Sequence, residues 1–201
     1  MTRSSEHVPD PGAEWDAAAA TFDDEPHHAI DEPALRERWW DVLRDALPPP
    51  PSRVADLGCG TGSLSVLLAE RGYVVRGIDL SPRMLELARA KARDHGVEAD
   101  FVLGDAAAPP PGPVDVVLTR HVVWALADRP AAIDTWFSLL APGGRLVLVE
   151  GHWHTGAGIP GDELVGLVAR PGVTVGLTPL NDPELWGAPV EDSRYVVVAR
   201  T

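Results

Sequence analysis

Residues 54–62 read VADLGCGTG, an apolar run that passes through three alternating glycines into a helix-forming segment. Glycines at such a junction let the backbone turn tightly and approach a ligand closely. The helix that follows starts with N–H groups that have no partner inside the helix. Ser63 stands where a dinucleotide fingerprint wants its third glycine, which argues against a nicotinamide cofactor. Asp79 closes the next apolar run, about 20 residues on, where a carboxylate can accept both hydroxyls of a ribose. The plain alternative is a cap for the helix starting at Pro82, a task Ser81 can do alone. Asp105, after a third apolar run, can accept from an adenine amino group or be an ordinary loop residue.

His121 follows a fourth run, VDVVLTR, and is the side-chain type best matched to proton transfer near neutral pH. Its alternative is a wall residue bonded to backbone. Trp124, one turn later, can stack on an aromatic ligand or fill core. His27 and His28 lie in the acidic stretch FDDEPHHAIDEP, and His152 and His154 flank Trp153. In an extended segment alternate residues share a face, so these histidines can reach one mouth. A metal site would want converging His and carboxylate ligands, but HH and HxH on flexible segments are usually just polar, so no metal site is expected. A base or substrate-contact role for His28, His27 or His152 is the better reading. Cys59 reads as a small packing residue.

Elements must hold these groups. Arg53 to Leu57, Tyr73 to Ile78, Asp100 to Leu103, Val114 to Thr119 and Arg145 to Glu150 read as strands. Between them, Gly62 to Arg71, Pro82 to His95 and Arg129 to Leu140 read as helices, with Pro142-Gly143-Gly144 as a turn before the fifth strand. This alternation predicts an α/β fold with right-handed crossovers and a mostly parallel sheet. After a helix from Asp162 to Ala169, Val173 to Leu177 and Arg194 to Arg200 lack a helix between them, so they are expected to pair antiparallel at an edge. In front, Glu14 to Thr21 is rich in helix formers. A second helix from Pro33 aligns Leu35, Trp39, Val42, Leu43 and Leu47 on one face. Pro48 to Pro51 cannot continue it, which suggests residues 1–52 as one unit and 53–201 as another.

The 201 residues carry a formal net charge of -13, of which -8 falls on residues 1–52 and -2 on 53–150. A chain of this sign, without a basic run, is a poor partner for phosphate backbones. No apolar stretch approaches the ~20 residues of a membrane helix, and the first residues lack a signal-peptide core. With one cysteine and no internal disulfide, a soluble, cytoplasmic protein is the expectation. Asp23, Asp24 and Glu25 read as part of a solvated acidic surface; the sharper alternative is an entrance biased toward neutral or cationic acceptors over anions.

VADLGCGTG (54–62), GIDLS (77–81), FVLGDA (101–106), VDVVLTRHVVWAL (114–126) and APGGRLVLVE (141–150) resemble, in order, the successive motifs of S-adenosylmethionine-dependent class I methyltransferases. The resemblance implies a Rossmann-like, doubly wound sheet of seven strands, the last inserted antiparallel, beneath an N-terminal helical lid. It implies that Asp56, Gly58, Gly60 and Gly62 shape the pocket for the amino-acid part of the cofactor. Asp79 would hold the ribose, Leu80, Asp105 and Ala106 would meet adenine, and the Thr119–Arg120 backbone would approach the methionine amino group. Phe22 and Trp15 would cover the cofactor as lid residues. The expected activity is methyl transfer to a small-molecule acceptor, with S-adenosylhomocysteine as the spent product. His121 and His28 are candidate catalytic residues; His27, His121, Trp124, His152 and Trp15 are candidate acceptor contacts. No nucleic-acid or membrane partner is expected, and a monomer or a homodimer fits equally. The rival readings are a non-catalytic cofactor-binding scaffold and, less well matched, a nicotinamide-dependent oxidoreductase.

Overall fold

The computed structural model describes residues 11–25 and 28–201. The strands are β1 Arg53–Leu57, β2 Val74–Asp79, β3 Asp100–Leu103, β4 Val114–Arg120, β5 Leu140–His152, β6 Thr174–Pro179 and β7 Ser193–Arg200. The helices are α1 Pro11–Ala18, α2 Pro33–Arg44, α3 Ser63–Glu70, α4 Pro82–Asp94, α5 Arg129–Leu139 and α6 Gly161–Val168. One sheet has the order β3-β2-β1-β4-β5-β7-β6. The first five strands run parallel, and β7 is antiparallel to both β5 and β6. The order reverses at β1, which pairs with β2 on one side and β4 on the other. In open α/β sheets, the crevice outside the carboxyl ends at such a reversal is where ligands bind.

The inner strands are continuous apolar runs because helices cover both faces. Val116, Val117 and Leu118 of β4 and Leu146 to Val149 of β5 are fully buried. Helix α4 starts as the sequence dictates: the Ser81 hydroxyl accepts from the Met84 amide at 3.0 Å, and Pro82 takes the first position. Met84, Leu85, Ala88 and Ala92 then form its buried stripe. Helix α2 packs Trp39 and Leu43 into the same core as Val54, Leu67 and Val116. Among the described residues no helix is long and apolar enough to cross a membrane.

Two departures from the sequence reading have physical causes. The first helix ends at Ala18 and tightens into a 3-10 segment, Ala19–Asp24, which brings Phe22 and Asp23 down onto the glycine loop. Leu140 to Gly144, expected as a helix end and turn, belong to β5. Val114 pairs with Leu140 and Val116 with Arg145, so the surplus residues bulge, with Gly143 at φ +77°. At the tail, β6 forms the sheet edge and β7 lies inserted antiparallel inside the sheet, as the resemblance implied.

Candidate functional site

One cavity of about 450 Å³ opens at the carboxyl ends of β1, β2 and β4, a size usual for small-molecule pockets. At its floor the glycine loop is pinned to β2: the amides of Gly58 and Cys59 both donate to the Ile78 carbonyl, at 2.8 and 3.0 Å. Gly58, Gly60 and Gly62 all take positive φ, which is what the loop demands of these positions. At Gly58 a methyl group would sit 2.5 Å from Val122, and at Gly62 2.8 Å from Ala88. Asp79 is buried at the end of β2. One of its oxygens accepts from the Gly60 amide at 2.8 Å and the other from the Ser81 amide at 2.9 Å. Burial holds its carboxyl above the ordinary carboxylate range, opposed by these amides. Asp105 is exposed, and its carboxylate accepts from the Ala107 amide.

Beneath the loop Asp56 is buried, accepts from the Ser65 hydroxyl at 2.6 Å, and is pushed up to about 6 by desolvation. Arg120, at the end of β4, is pushed down to about 10 by desolvation, with Asp56 and Asp23 opposing. Its guanidinium donates to the His28 carbonyl at 2.9 Å and lies 5.4 Å over the Trp39 ring. Arg120 thereby ties the front segment to the sheet.

Two further ties hold that segment down. Asp23 accepts from Thr61 at 2.7 Å and pairs with Lys91 at 2.9 Å, and Lys91 also reaches Ser63 at 2.9 Å. Asp16 accepts from the Ser81 hydroxyl and from the Arg83 amide. The Asp23 charge is therefore spent on the chain's one lysine, which corrects the alternative that it biases an entrance against anions. Phe22 lies against Gly60, and the His28 ring stacks on it at 4.1 Å.

Aromatic rings also line the cavity. Trp15, Trp124 and Trp153 line it together with Leu126, His28 and His121. Trp153 meets Trp124 edge-on at 5.7 Å and His121 at 5.2 Å, while Trp186 stacks behind His121 at 5.8 Å. His121 takes φ 59°, and among the described residues it is the only non-glycine with positive φ.

The cavity thus gathers Asp56, Gly58, Gly60, Asp79, Leu80, Asp105, Ala106, Arg120 and Phe22 together with His28, His121, Trp124 and Trp15. Three residues singled out from the sequence do not line it. Gly62 is the cap of α3, packed on Ala88. Thr119 is fully buried in β4. His152 is exposed at the end of β5, because a tight turn (Trp153 amide to Ala157 carbonyl, 2.9 Å) folds Trp153, not its histidine neighbours, inward. His27 falls outside the described residues. Sequence reasoning missed Trp153, although Gly156 and Gly158 mark the turn that aims it. It also missed Met84 and Val122 in the wall, and Lys91. Among the described residues no group of three or more His, Cys, Asp or Glu side chains is placed to hold a metal ion.

Strand order, inserted antiparallel strand, glycine loop and paired acids at β2 and β3 together define the class I S-adenosylmethionine-dependent methyltransferase architecture. Residues 54–144 match the family model described as Methyltransferase domain. Over that stretch the chain resembles the class I S-adenosylmethionine-dependent methyltransferases, a reading its curated relatives support. It is 42% identical over 109 residues to a demethylmenaquinone methyltransferase of Thermus thermophilus, covering 52% of this chain and 50% of that protein. It is 34% identical over 124 residues to a ubiquinone biosynthesis O-methyltransferase of Xylella fastidiosa, covering 60% and 48%. The chain spans about half the length of the curated relatives it matches. Magnesium protoporphyrin IX methyltransferase from Synechocystis, solved with bound S-adenosylmethionine, shares the fold at TM-score 0.73 and 20% identity, with 98% of this chain and 100% of that one aligned. The cyclase SpnF shares it at TM-score 0.76 and 20% identity, over 94% of both chains.

S-adenosylmethionine is the cofactor of this class, and the residues present fit it. Asp79 and Asp105 offer acceptors at the rim, Leu80, Met84 and Ala106 offer apolar walls, and a methyl group added at Gly60 would fill the gap below Phe22.

Proposed function

We propose that the protein transfers a methyl group from S-adenosylmethionine to a hydroxyl on a small, planar, largely apolar acceptor, in the cytoplasm. The observation that carries this reading is a single cavity lined both by the glycine loop with Asp56, Asp79 and Asp105 and by Trp15, Trp124 and Trp153. Asp79 would take the ribose, Asp105 and Ala106 the adenine, and Arg120 with the glycine loop the amino-acid part. Trp124, Trp153 and Trp15 would hold the acceptor by ring contacts and apolar burial. The quinone-biosynthesis names of the two relatives favour a ring acceptor.

When bound, the cofactor supplies a methyl group already activated on a sulfonium. The protein's work is alignment, exclusion of water and removal of the acceptor's proton. His28 suits the last task. Its Nδ1 lies 2.8 Å from the Phe22 carbonyl, which can only accept, so Nδ1 carries the proton and Nε2 the lone pair. Burial lowers its pKa, which keeps the imidazole neutral at pH 7 and able to accept a proton. His121, which also lines the cavity, is the second candidate base. The front segment, tied by Asp23, Asp16 and Arg120, would serve as the lid that keeps the site dry.

The test is calorimetry with S-adenosylhomocysteine and with NAD, followed by transfer of a labelled methyl group to a panel of phenols and hydroquinones. Binding of S-adenosylhomocysteine and labelling of a ring hydroxyl are expected. Binding of NAD alone would overturn the whole reading. Tight S-adenosylhomocysteine binding without transfer to any acceptor would favour the scaffold reading.

A further inference from the structure

Glu150 is the last carboxylate a reader of the sequence would connect with the cavity. It ends an apolar run inside β5, pairs in register with Tyr195 of β7, and is wholly buried. Its Oε1 accepts from two successive backbone amides, Val122 at 2.8 Å and Val123 at 2.7 Å. Its Oε2 is buried without a hydrogen-bond partner, and among the described residues no basic side chain forms an ion pair with it. A carboxyl so placed costs stability, and an apolar residue of similar size would pack there at lower cost.

What it holds is the turn that carries the aromatic wall. Val122 and Val123 directly follow His121, whose left-handed backbone costs energy of its own. The His121 amide donates to the Val149 carbonyl at 2.9 Å, and its carbonyl accepts from the Trp124 indole at 2.9 Å. The Arg129 guanidinium, from α5, donates to the Trp124 carbonyl at 2.9 Å. Every bond in the set is between the ends of β4 and β5 or within the turn joining β4 to α5. Remove Glu150 and two amides lose their acceptor where water cannot replace it, beside the one strained residue of the wall.

We infer that Glu150 is a positioning residue: it clamps the turn after β4 so that His121 and Trp124 face the acceptor, and it takes no part in holding the cofactor. The kinetic arm of this inference rests on the methyl-transfer reading above; the structural arm does not.

Three variants decide it. A glutamine side chain keeps an oxygen that can accept from both amides, so Glu150→Gln should retain the clamp. Glu150→Asp is one methylene too short to reach both amides, and Glu150→Leu has no acceptor. Amide exchange at Val122 and Val123, read by nuclear magnetic resonance on the whole chain, should be as slow in Glu150→Gln as in the native protein. It should be about ten-fold or more faster in Glu150→Asp and Glu150→Leu, the change expected for one lost hydrogen bond. Affinity for S-adenosylhomocysteine should stay within about two-fold throughout. Acceptor kcat/KM should fall about ten-fold or more in Glu150→Asp and Glu150→Leu and hold in Glu150→Gln. Unchanged exchange in Glu150→Asp would overturn the clamp, whether or not an acceptor is ever found. Faster exchange with native acceptor kcat/KM, or an equal loss of cofactor affinity, would overturn the positioning role. If Glu150→Leu does not fold, Glu150→Asp and Glu150→Gln carry the same comparison.

Discussion

Glu150→Gln also gives a stability experiment whose sign and size follow from the structure. Desolvation pushes the Glu150 carboxyl from its ordinary 4.5 up to about 8, so the folded protein keeps this proton at neutral pH while the unfolded chain has lost it. A folded state that binds more protons than the unfolded one loses stability as pH rises. The loss begins above the unfolded value and is complete above the folded one. Its slope is about 1.4 kcal/mol per pH unit, and about 5 kcal/mol over the full span. The difference between native protein and Glu150→Gln from pH 6.5 to 8 isolates this group. Asp56, pushed up to about 6, completes its titration in the lower part of that window in both proteins. His28, whose pKa burial lowers, likewise contributes equally to both. The Cys59 thiol is pushed further up by burial and stays protonated. Native protein should therefore lose about 2 kcal/mol across that window in urea unfolding. Glu150→Gln mimics the protonated acid, cannot ionise, and should lack that loss. Its amide leaves a buried donor unpaired and costs about 1–3 kcal/mol at every pH, so the slope and not the absolute value is the readout. Equal slopes in the two proteins between pH 6.5 and 8 would refute the reasoning.

Asp79→Ala removes a charged acceptor and should weaken S-adenosylhomocysteine binding by about 1.5–3 kcal/mol in calorimetry; Asp79→Asn should lose less, because it can still accept from the Gly60 or Ser81 amide. Gly62→Ala puts a methyl group 2.8 Å from the Ala88 Cβ at φ +79°, and should lower stability by about 1–3 kcal/mol in urea unfolding. Lys91→Met frees Asp23 and Ser63 from their shared cation. Limited proteolysis of the front segment should then quicken while the sheet core keeps its protection. His121→Ala should lower turnover with S-adenosylhomocysteine affinity unchanged, as separate kinetic and calorimetric titrations would report.

What the sequence revealed and what it hid divide along one physical line. The glycine loop, Asp79 and Asp105 were legible because local backbone demands write themselves locally. Positive φ needs glycine, a helix start needs a cap such as Ser81, and a strand end needs its apolar run to stop. The antiparallel tail was legible as two strands without a helix between them. Contacts that close across the chain left no such mark. Lys91 meets Asp23 over a separation of 68 residues, and Glu150 reaches the amides beyond β4 from what reads as the polar end of a strand. Period-two reasoning set His152 and His154 on one face, but the turn that follows β5 reverses the chain and sends Trp153 inward. Proline and glycine in 140–144 suggested a turn, yet β4 offers an acceptor row along which the strand can bulge and continue.

The position of β7 has a consequence for how the molecule comes into being. Strands β1 to β5 can pair as they leave the ribosome, since each finds its neighbour among segments already made. Strand β6 cannot, because its sole partner in the sheet is made after it. Until β7 slots between them, the outer flank of β5 is an open row of donors and acceptors, and β6 is a strand with nowhere to dock. That interval is when a nascent chain of this topology is most exposed to pairing with a stranger. The pocket, built on β1, β2 and β4, lies on the half that is finished first.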